Sequence, residues 1–378
     1  MNSVSGHATL QSIMCTHLFE DPNKHRLSPR QWQVCRHIRG CRTEQMGSAL
    51  LSCTQCDRIK IYHHACRDRH CPQCQQQASK QWSKKQEESL LPVTYHHLVF
   101  TLPHEINGWV GLHPELIYKL FFHSVWSTLK RFGENPKYLG GKIGMTSVLH
   151  TWGENLSRHV HLHCLIPGGA LLPNGDWCEA RGNYLFPVRA LSRRFRGTMV
   201  SRLRQAADTG ELHRIKVPGE VDGVLRQLMS KDWVVYSKPC PQRSNQVVQY
   251  LARYTHRIAI SNQRIEYADR KTVRFSVKEY RQEGKRRSLT LSTEEFIRRF
   301  LLHVLPKGLV RIRHYGLLSN RTRREKIALI RMLLQQPAEP ACTGQSKAAP
   351  NHQFEYQCPQ CRAGFLIVRH VNQHGPPC

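Results

Sequence analysis

The 378-residue chain carries 56 Lys and Arg against 27 Asp and Glu, a formal charge of +29 at pH 7 with basic residues recurring from Arg26 to Arg331. An excess of this size calls for a polyanionic partner, nucleic acid first, because each neutralised phosphate releases counterions, whereas a membrane surface would want an amphipathic anchor that is not seen. Met1–Leu10 lacks the regions of a signal peptide and no apolar run approaches the roughly 18 residues that span a bilayer, so a cytosolic, nucleoid-associated chain with no membrane partner is expected. Its 15 cysteines then read as metal ligands rather than disulfides.

A length of 378 residues leaves room for one large domain and one or two small ones. Composition divides it into residues 1–90, a Cys- and His-rich metal module; residues 91–335, alternating short apolar runs and helices; and residues 336–378, a Pro-, Ala- and Ser-rich linker with a Cys/His-containing tail. In the first region Cys53-x-x-Cys56 and Cys71-x-x-Cys74 have the spacing of two knuckles closing on one tetrahedral Zn2+. Four thiolates leave no open position for water, which makes that zinc structural. Cys41, Cys66 and His70, with His63 or His64, form a candidate set for a second zinc, against the alternative of buried thiols and surface imidazoles. In the tail, Cys358-x-x-Cys361 lacks a second matching pair and is either a half-ribbon drawing on His370, His374 or Cys378 or a degenerate terminus.

The middle region predicts strands over Tyr95–Leu102, Ile143–Thr151, Val160–Ile166 and Val273–Val277. It predicts helices over Leu116–Phe132, Ser192–Ala207, Gln246–Arg257 and Thr293–His303, and a basic helix from Asn320 to Leu334. The fold class is α+β. In Arg158-His-Val-His-Leu-His-Cys164 the period of two puts His159, His161 and His163 on one face, with Val160, Leu162, Cys164 and Ile166 on the other. Two imidazoles on one strand with an apolar back face make a metal-ligand pair, for which Mg2+ or Mn2+ suits phosphoryl chemistry.

Tyr250 and Tyr254 lie four apart on the predicted Gln246–Arg257 helix, one turn apart on one face. Alone, such a pair is more often core or interface packing; the metal strand and the basic surface favour chemistry. The reaction that joins these parts is transesterification at a DNA phosphate, a tyrosine hydroxyl becoming a 5′-phosphotyrosine while a 3′-hydroxyl leaves. Arg253, Arg257, Arg311 and Arg313 are candidate phosphate contacts, each of which could equally be part of a solvated basic face. For the third metal ligand, His150, Glu154 and a residue near the tyrosine helix are candidates.

With these residues in place, the chain resembles the rolling-circle insertion-sequence transposases that combine an HUH (His-hydrophobic-His) nuclease domain with two tyrosines, the insertion-sequence ninety-one family. The resemblance rests on Cys66-Arg-Asp-Arg-His-Cys-Pro-Gln-Cys74, Phe100-Thr-Leu-Pro-His104, Trp152-Gly-Glu-Asn155 with His161-Leu-His163 and Pro167-Gly-Gly169. It continues through Tyr250-Leu-Ala-Arg-Tyr254-Thr-His-Arg257, Val310-Arg-Ile-Arg-His-Tyr-Gly316 and Ser319-Asn-Arg321. It implies an antiparallel sheet flanked by helices behind a small zinc-binding domain, His161 and His163 as HUH metal ligands with His159 as an accessory, and Tyr250 and Tyr254 as nucleophiles. It also implies single-strand cleavage at the element's ends. Ser48-Ala49 departs from the family, whose members often carry a His before the first Cys pair. The competing readings are a replication initiator or relaxase, a hydrolase using activated water, and a zinc-dependent DNA-binding protein without catalysis.

Overall fold

The computed structural model describes residues 8–19, 27–87, 89–180, 184–240, 258–279, 285–334 and 356–372. The predicted helix Gln246–Arg257, with Tyr250, Arg253, Tyr254 and Arg257, lies outside the described residues, as do the linker, His374 and Cys378. The chain forms two compact units. One comprises Met1–Gln77, Ile260–Val304 and Glu339–Cys378, and the other Ala78–Ala259 and Leu305–Ala338.

The second unit is α+β. Five strands form a sheet in the order Ile312–Gly316, Gly144–Trp152, Arg158–Pro167, Tyr95–Thr101, Val235–Pro239, every neighbouring pair antiparallel. The histidine strand is therefore central. Its even-numbered residues Val160, Leu162, Cys164 and Ile166 are buried, and Phe100 stands directly opposite Leu162 in the register. Phe195, on the helix Val188–Asp208, meets Phe100 edge to face at 5.2 Å and Phe121 of the helix Pro114–Glu134 at 5.7 Å. On the latter helix Ile117, Phe121, Val125 and Leu129 recur every four residues and are buried, the stripe that seats it. These helices cover the apolar face of the sheet, leaving the histidines on the opposite face. Hydrophobic burial of large aromatic side chains on one side thus dictates where the polar chemistry can be, since a slip of one residue would exchange the faces.

The first unit contains the helices Leu10–His17 and Pro29–Gly40, the second opened by a capping box in which Ser28 and Gln31 satisfy each other's backbone amides. A four-stranded sheet runs Tyr356–Gln357, Phe365–Asn372, Ser48–Cys53, Ile59–His63, and a three-stranded one Lys285–Ser292, Thr272–Glu279, Ile265–Ala268. By contact, Ile260–Val304 groups with the N-terminal segment. The physical reason is direct bonding: the Leu10 amide donates to Asn262 Oδ1 at 3.1 Å and the Gln31 side-chain amide to the Leu301 carbonyl at 3.1 Å. In the tail, Phe365–Asn372 pairs with Ser48–Cys53 from Ser48 opposite Asn372 to Cys53 opposite Leu366. Among the described residues no helix is long and apolar enough to cross a membrane.

Candidate metal centre

In the sheet register His150 stands directly opposite His161, and Val148 opposite His163. Strand alternation brings His150, His161 and His163 to one face, with their ligand nitrogens all within 4.8 Å of one another. Of the candidates for a third ligand, the cluster takes His150 and leaves Glu154 out. The His150 ring lies over Trp152 with centroids 4.3 Å apart and planes 20° apart, and 4.4 Å from the His163 ring. Trp152 thus holds His150 in place from the same strand. His159 neighbours His161 at 4.9 Å between centroids but is exposed.

The hydrogen bonds fix which nitrogens face the cluster. His161 Nδ1 is 2.9 Å from the carbonyl oxygen of His159; a carbonyl only accepts, so Nδ1 carries the proton and Nε2 keeps its lone pair. On the other side, His163 Nδ1 is 2.8 Å from Nε2 of His97, with the two rings nearly parallel. His97 belongs to the neighbouring strand, diagonal to His163, where Val99 is its direct partner. A proton donated from His163 Nδ1 to His97 leaves His163 Nε2 for a metal, the arrangement in which an outer residue orients a ligand. Burial lowers His161 to about 3 and His97 to about 4, and holds His163 well below the ordinary imidazole value. His161 and His163 are thereby held neutral, the form in which an imidazole binds a metal. Three imidazoles converging from one face of a sheet fit a divalent ion.

Of the candidate phosphate contacts, Arg313 lies in the edge strand Ile312–Gly316 and Arg311 immediately precedes it. Arg313 pairs with Ser147 on the helix-covered face, and its guanidinium lies 4.0 Å from the centroid of Phe122. Arg311 is 7% exposed. The sheet's alternation turns Arg313 toward the helices.

The cysteines group otherwise than their order along the chain suggests. Cys53 and Cys56 do not join Cys71 and Cys74; Cys41, Cys66, Cys71 and Cys74 form one cluster, and Cys53, Cys56, Cys358 and Cys361 another. In the first, Cys74 Sγ is 3.6 Å from Cys41 Sγ and 3.7 Å from Cys66 Sγ. A zinc–sulfur bond of about 2.3 Å in a tetrahedron puts sulfurs about 3.8 Å apart, whereas a disulfide needs about 2 Å. Hydrogen bonds from Cys66, Cys71 and Cys74 lower the Cys41 thiol. His70, expected beside Cys41 and Cys66, is not a member. It is fully buried and its Nδ1 is 2.7 Å from Asp68 Oδ1, while Asp68 Oδ2 is 2.9 Å from His37 Nδ1. His63 and His64 also lie outside both clusters, and His370 is a strand residue opposite Leu50.

Sequence reasoning missed His97 and the partnership of the two cysteine pairs 302 residues apart. The signal for His97 was its adjacent pair, His96-His97, inside a predicted strand. Strand pairing alone decides that His97 reaches His163, and a single chain does not display that pairing.

Two family models match the chain, one described as "Transposase zinc-binding domain" over residues 13–102 and one as "Putative transposase" over residues 144–326. Over 367 residues the chain is 40% identical to "Putative transposase y4qJ" of Sinorhizobium fredii, which covers 93% of this chain and 92% of that protein. It is 26% identical over 296 residues to "Transposase for insertion sequence element IS801" of Pseudomonas savastanoi pv. phaseolicola, covering 74% of this chain and 68% of that protein. No solved structure matches the chain.

Proposed function

Since the chain belongs to the insertion-sequence ninety-one family of transposases, with its zinc-binding domain at the N-terminus, we propose that it nicks single-stranded DNA and transfers strands through 5′-phosphotyrosine links in rolling-circle transposition. The observation that carries this reading is the three-imidazole cluster of His150, His161 and His163 on the face of the sheet opposite the helices Pro114–Glu134 and Val188–Asp208. Mg2+ or Mn2+ held by these residues would polarise the oxygens of the scissile phosphate.

Tyr250 and Tyr254 are the proposed nucleophiles. The tyrosine oxygen bonds to phosphorus as the bond to the 3′-oxygen breaks, the phenolic proton is lost, and the departing oxygen leaves as a 3′-hydroxyl after taking up a proton. The phosphodiester energy is kept in the new link, which lets a second strand be joined. His97 positions His163, and His159 offers its carbonyl to fix the His161 tautomer. Arg253 and Arg257, at the same four-residue interval as the tyrosines, are proposed phosphate contacts. Cys41, Cys66, Cys71 and Cys74 are proposed to hold one Zn2+ that is structural, because four thiolates leave no site for substrate or water.

The test uses labelled single-stranded DNA from the element's ends. Wild type with Mg2+ or Mn2+ is expected to cut it and leave a denaturant-resistant protein–DNA adduct, and the Tyr250→Phe/Tyr254→Phe double variant to do neither. Cutting that survives the double substitution without an adduct would mean an activated-water hydrolase. Binding without cutting by the wild-type protein would mean a DNA-binding protein.

A further inference from the structure

We propose that Cys53, Cys56, Cys358 and Cys361 bind a second structural zinc, one that ties the C-terminal tail to the N-terminal strand Ser48–Cys53. The inference goes beyond the transposase reading, since Cys358 and Cys361 lie outside both matched segments, residues 13–102 and 144–326.

The four sulfurs lie within 4.8 Å of one another. Cys53 Sγ is 3.6 Å from Cys361 Sγ and Cys56 Sγ is 3.8 Å from Cys358 Sγ, each Cys pair thus meeting the other across the cluster. These are the separations that a zinc–sulfur bond of about 2.3 Å imposes on a tetrahedron, and they exclude disulfides. The surroundings are built to match. Cys53-Thr-Gln-Cys56 joins the strands Ser48–Cys53 and Ile59–His63, and Cys358-Pro-Gln-Cys361 lies between the strands Tyr356–Gln357 and Phe365–Asn372. Each knuckle is the turn of its own hairpin, and the two hairpins share one sheet.

Backbone amides point at the sulfurs. The Gln55 amide is 3.3 Å from Cys53 Sγ and the Gly364 amide 3.4 Å from Cys361 Sγ, donors that favour the thiolate form a metal needs. The knuckles also interlock. The Thr54 amide donates to the Phe365 carbonyl at 3.0 Å, the Phe365 amide to Thr54 Oγ1 at 3.0 Å, and Arg58 to Gln360 Oε1 at 3.2 Å. At Gly364 a Cβ would come within 2.7 Å of Cys53 Sγ, so the absence of a side chain there is what lets the tail approach the first knuckle. The tail strand itself buries little, with Phe365, Val368 and Val371 exposed. A strand with so small an apolar contribution, closing a loop of about 300 residues, gains its hold from metal binding, which in modules this small supplies folding free energy.

The wild-type full chain decides the matter. Purified with its zinc, it is treated with a thiol-alkylating reagent before and after chelation, and each cysteine is followed by mass spectrometry. Cys56 and Cys361 are the informative positions because both are only partly buried, so packing alone would leave them open to the reagent. They are expected to be protected in the zinc-loaded chain and to react at least tenfold faster after chelation. Alongside, zinc analysis is expected to give two thiolate-bound ions per chain, and a Cys358→Ser/Cys361→Ser variant one. Equal reaction of Cys56 and Cys361 before and after chelation, or a wild-type chain whose zinc is accounted for by Cys41, Cys66, Cys71 and Cys74 alone, overturns the proposal. Neither result bears on cleavage of DNA.

Discussion

His97 Nε2 lies 2.8 Å from Nδ1 of His163, both side chains buried and on neighbouring strands of the sheet. A proton donated across this contact from His163 Nδ1 leaves the Nε2 lone pair of His163 for an ion shared with His150 and His161. Replacing an outer partner of this kind weakens metal affinity about 10- to 100-fold. His97→Ala is therefore expected to raise the Mn2+ dissociation constant by that factor while leaving the zinc content unchanged. His97→Gln, which keeps an acceptor near His163, should recover part of the loss. Titration calorimetry of Mn2+ against both variants makes the comparison; equal affinities for wild type and His97→Ala would remove His97 from any positioning role.

The donor set also predicts which ion works better. Among the described residues the cluster is three imidazoles with no carboxylate, which suits a first-row transition ion more than Mg2+, which prefers oxygen ligands and sheds water reluctantly. Mn2+ should support nicking at a concentration at least tenfold below that of Mg2+. His150→Ala should abolish that advantage by removing one nitrogen. Half-maximal activating concentrations for the two ions provide the check, and equal values would argue for an oxygen-rich site that the cluster does not contain.

Much of this site was legible in the sequence, and the part that was not has a common cause. The alternation of His161 and His163 with Val160, Leu162 and Cys164 is local, and period two alone gives the two faces. The central strand, its neighbours Tyr95–Thr101 and Gly144–Trp152, and the helices that carry Phe121 and Phe195 were likewise readable, since each has its own periodicity. Relations between distant segments were not. The choice of His150 over Glu154 follows from the register that sets His150 opposite His161, and the exchange of partners among the cysteines follows from the pairing of Phe365–Asn372 with Ser48–Cys53. Cys-x-x-Cys spacing names a knuckle but does not say which second knuckle it faces. The same holds for Arg313, whose place over Phe122 depends on the strand Ile312–Gly316 joining the edge of the sheet.

Acid should destabilise the protein through its buried histidines. Burial, first, and the nearby Lys238 lower His97 to about 4, and burial lowers His161 to about 3, against 6.5 for a free imidazole. Between those values and 6.5 the unfolded chain binds protons that the folded chain does not, so stability rises with pH across that window and falls as pH drops through it. Above 6.5 the contribution is constant. For His97, 2% exposed, a shift from 6.5 to about 4 corresponds to about 3 kcal/mol. Thermal unfolding without added Mg2+ or Mn2+ should give a midpoint that declines from pH 6.5 to 4, with a shallower decline in His97→Leu. Identical slopes for the two proteins would contradict the assignment.

Mapping the covalent link itself tests the proposed chemistry most directly. The protein is incubated with Mn2+ and single-stranded DNA from the element's ends, the adduct is isolated under denaturing conditions and digested, and the modified peptide is sequenced by mass spectrometry. The expected result is a nucleotide attached through its 5′-phosphate to Tyr250 or Tyr254, formed only when His161 and His163 are intact. Cleavage of the DNA with no adduct, or a phosphate carried by a residue other than these two tyrosines, would contradict it.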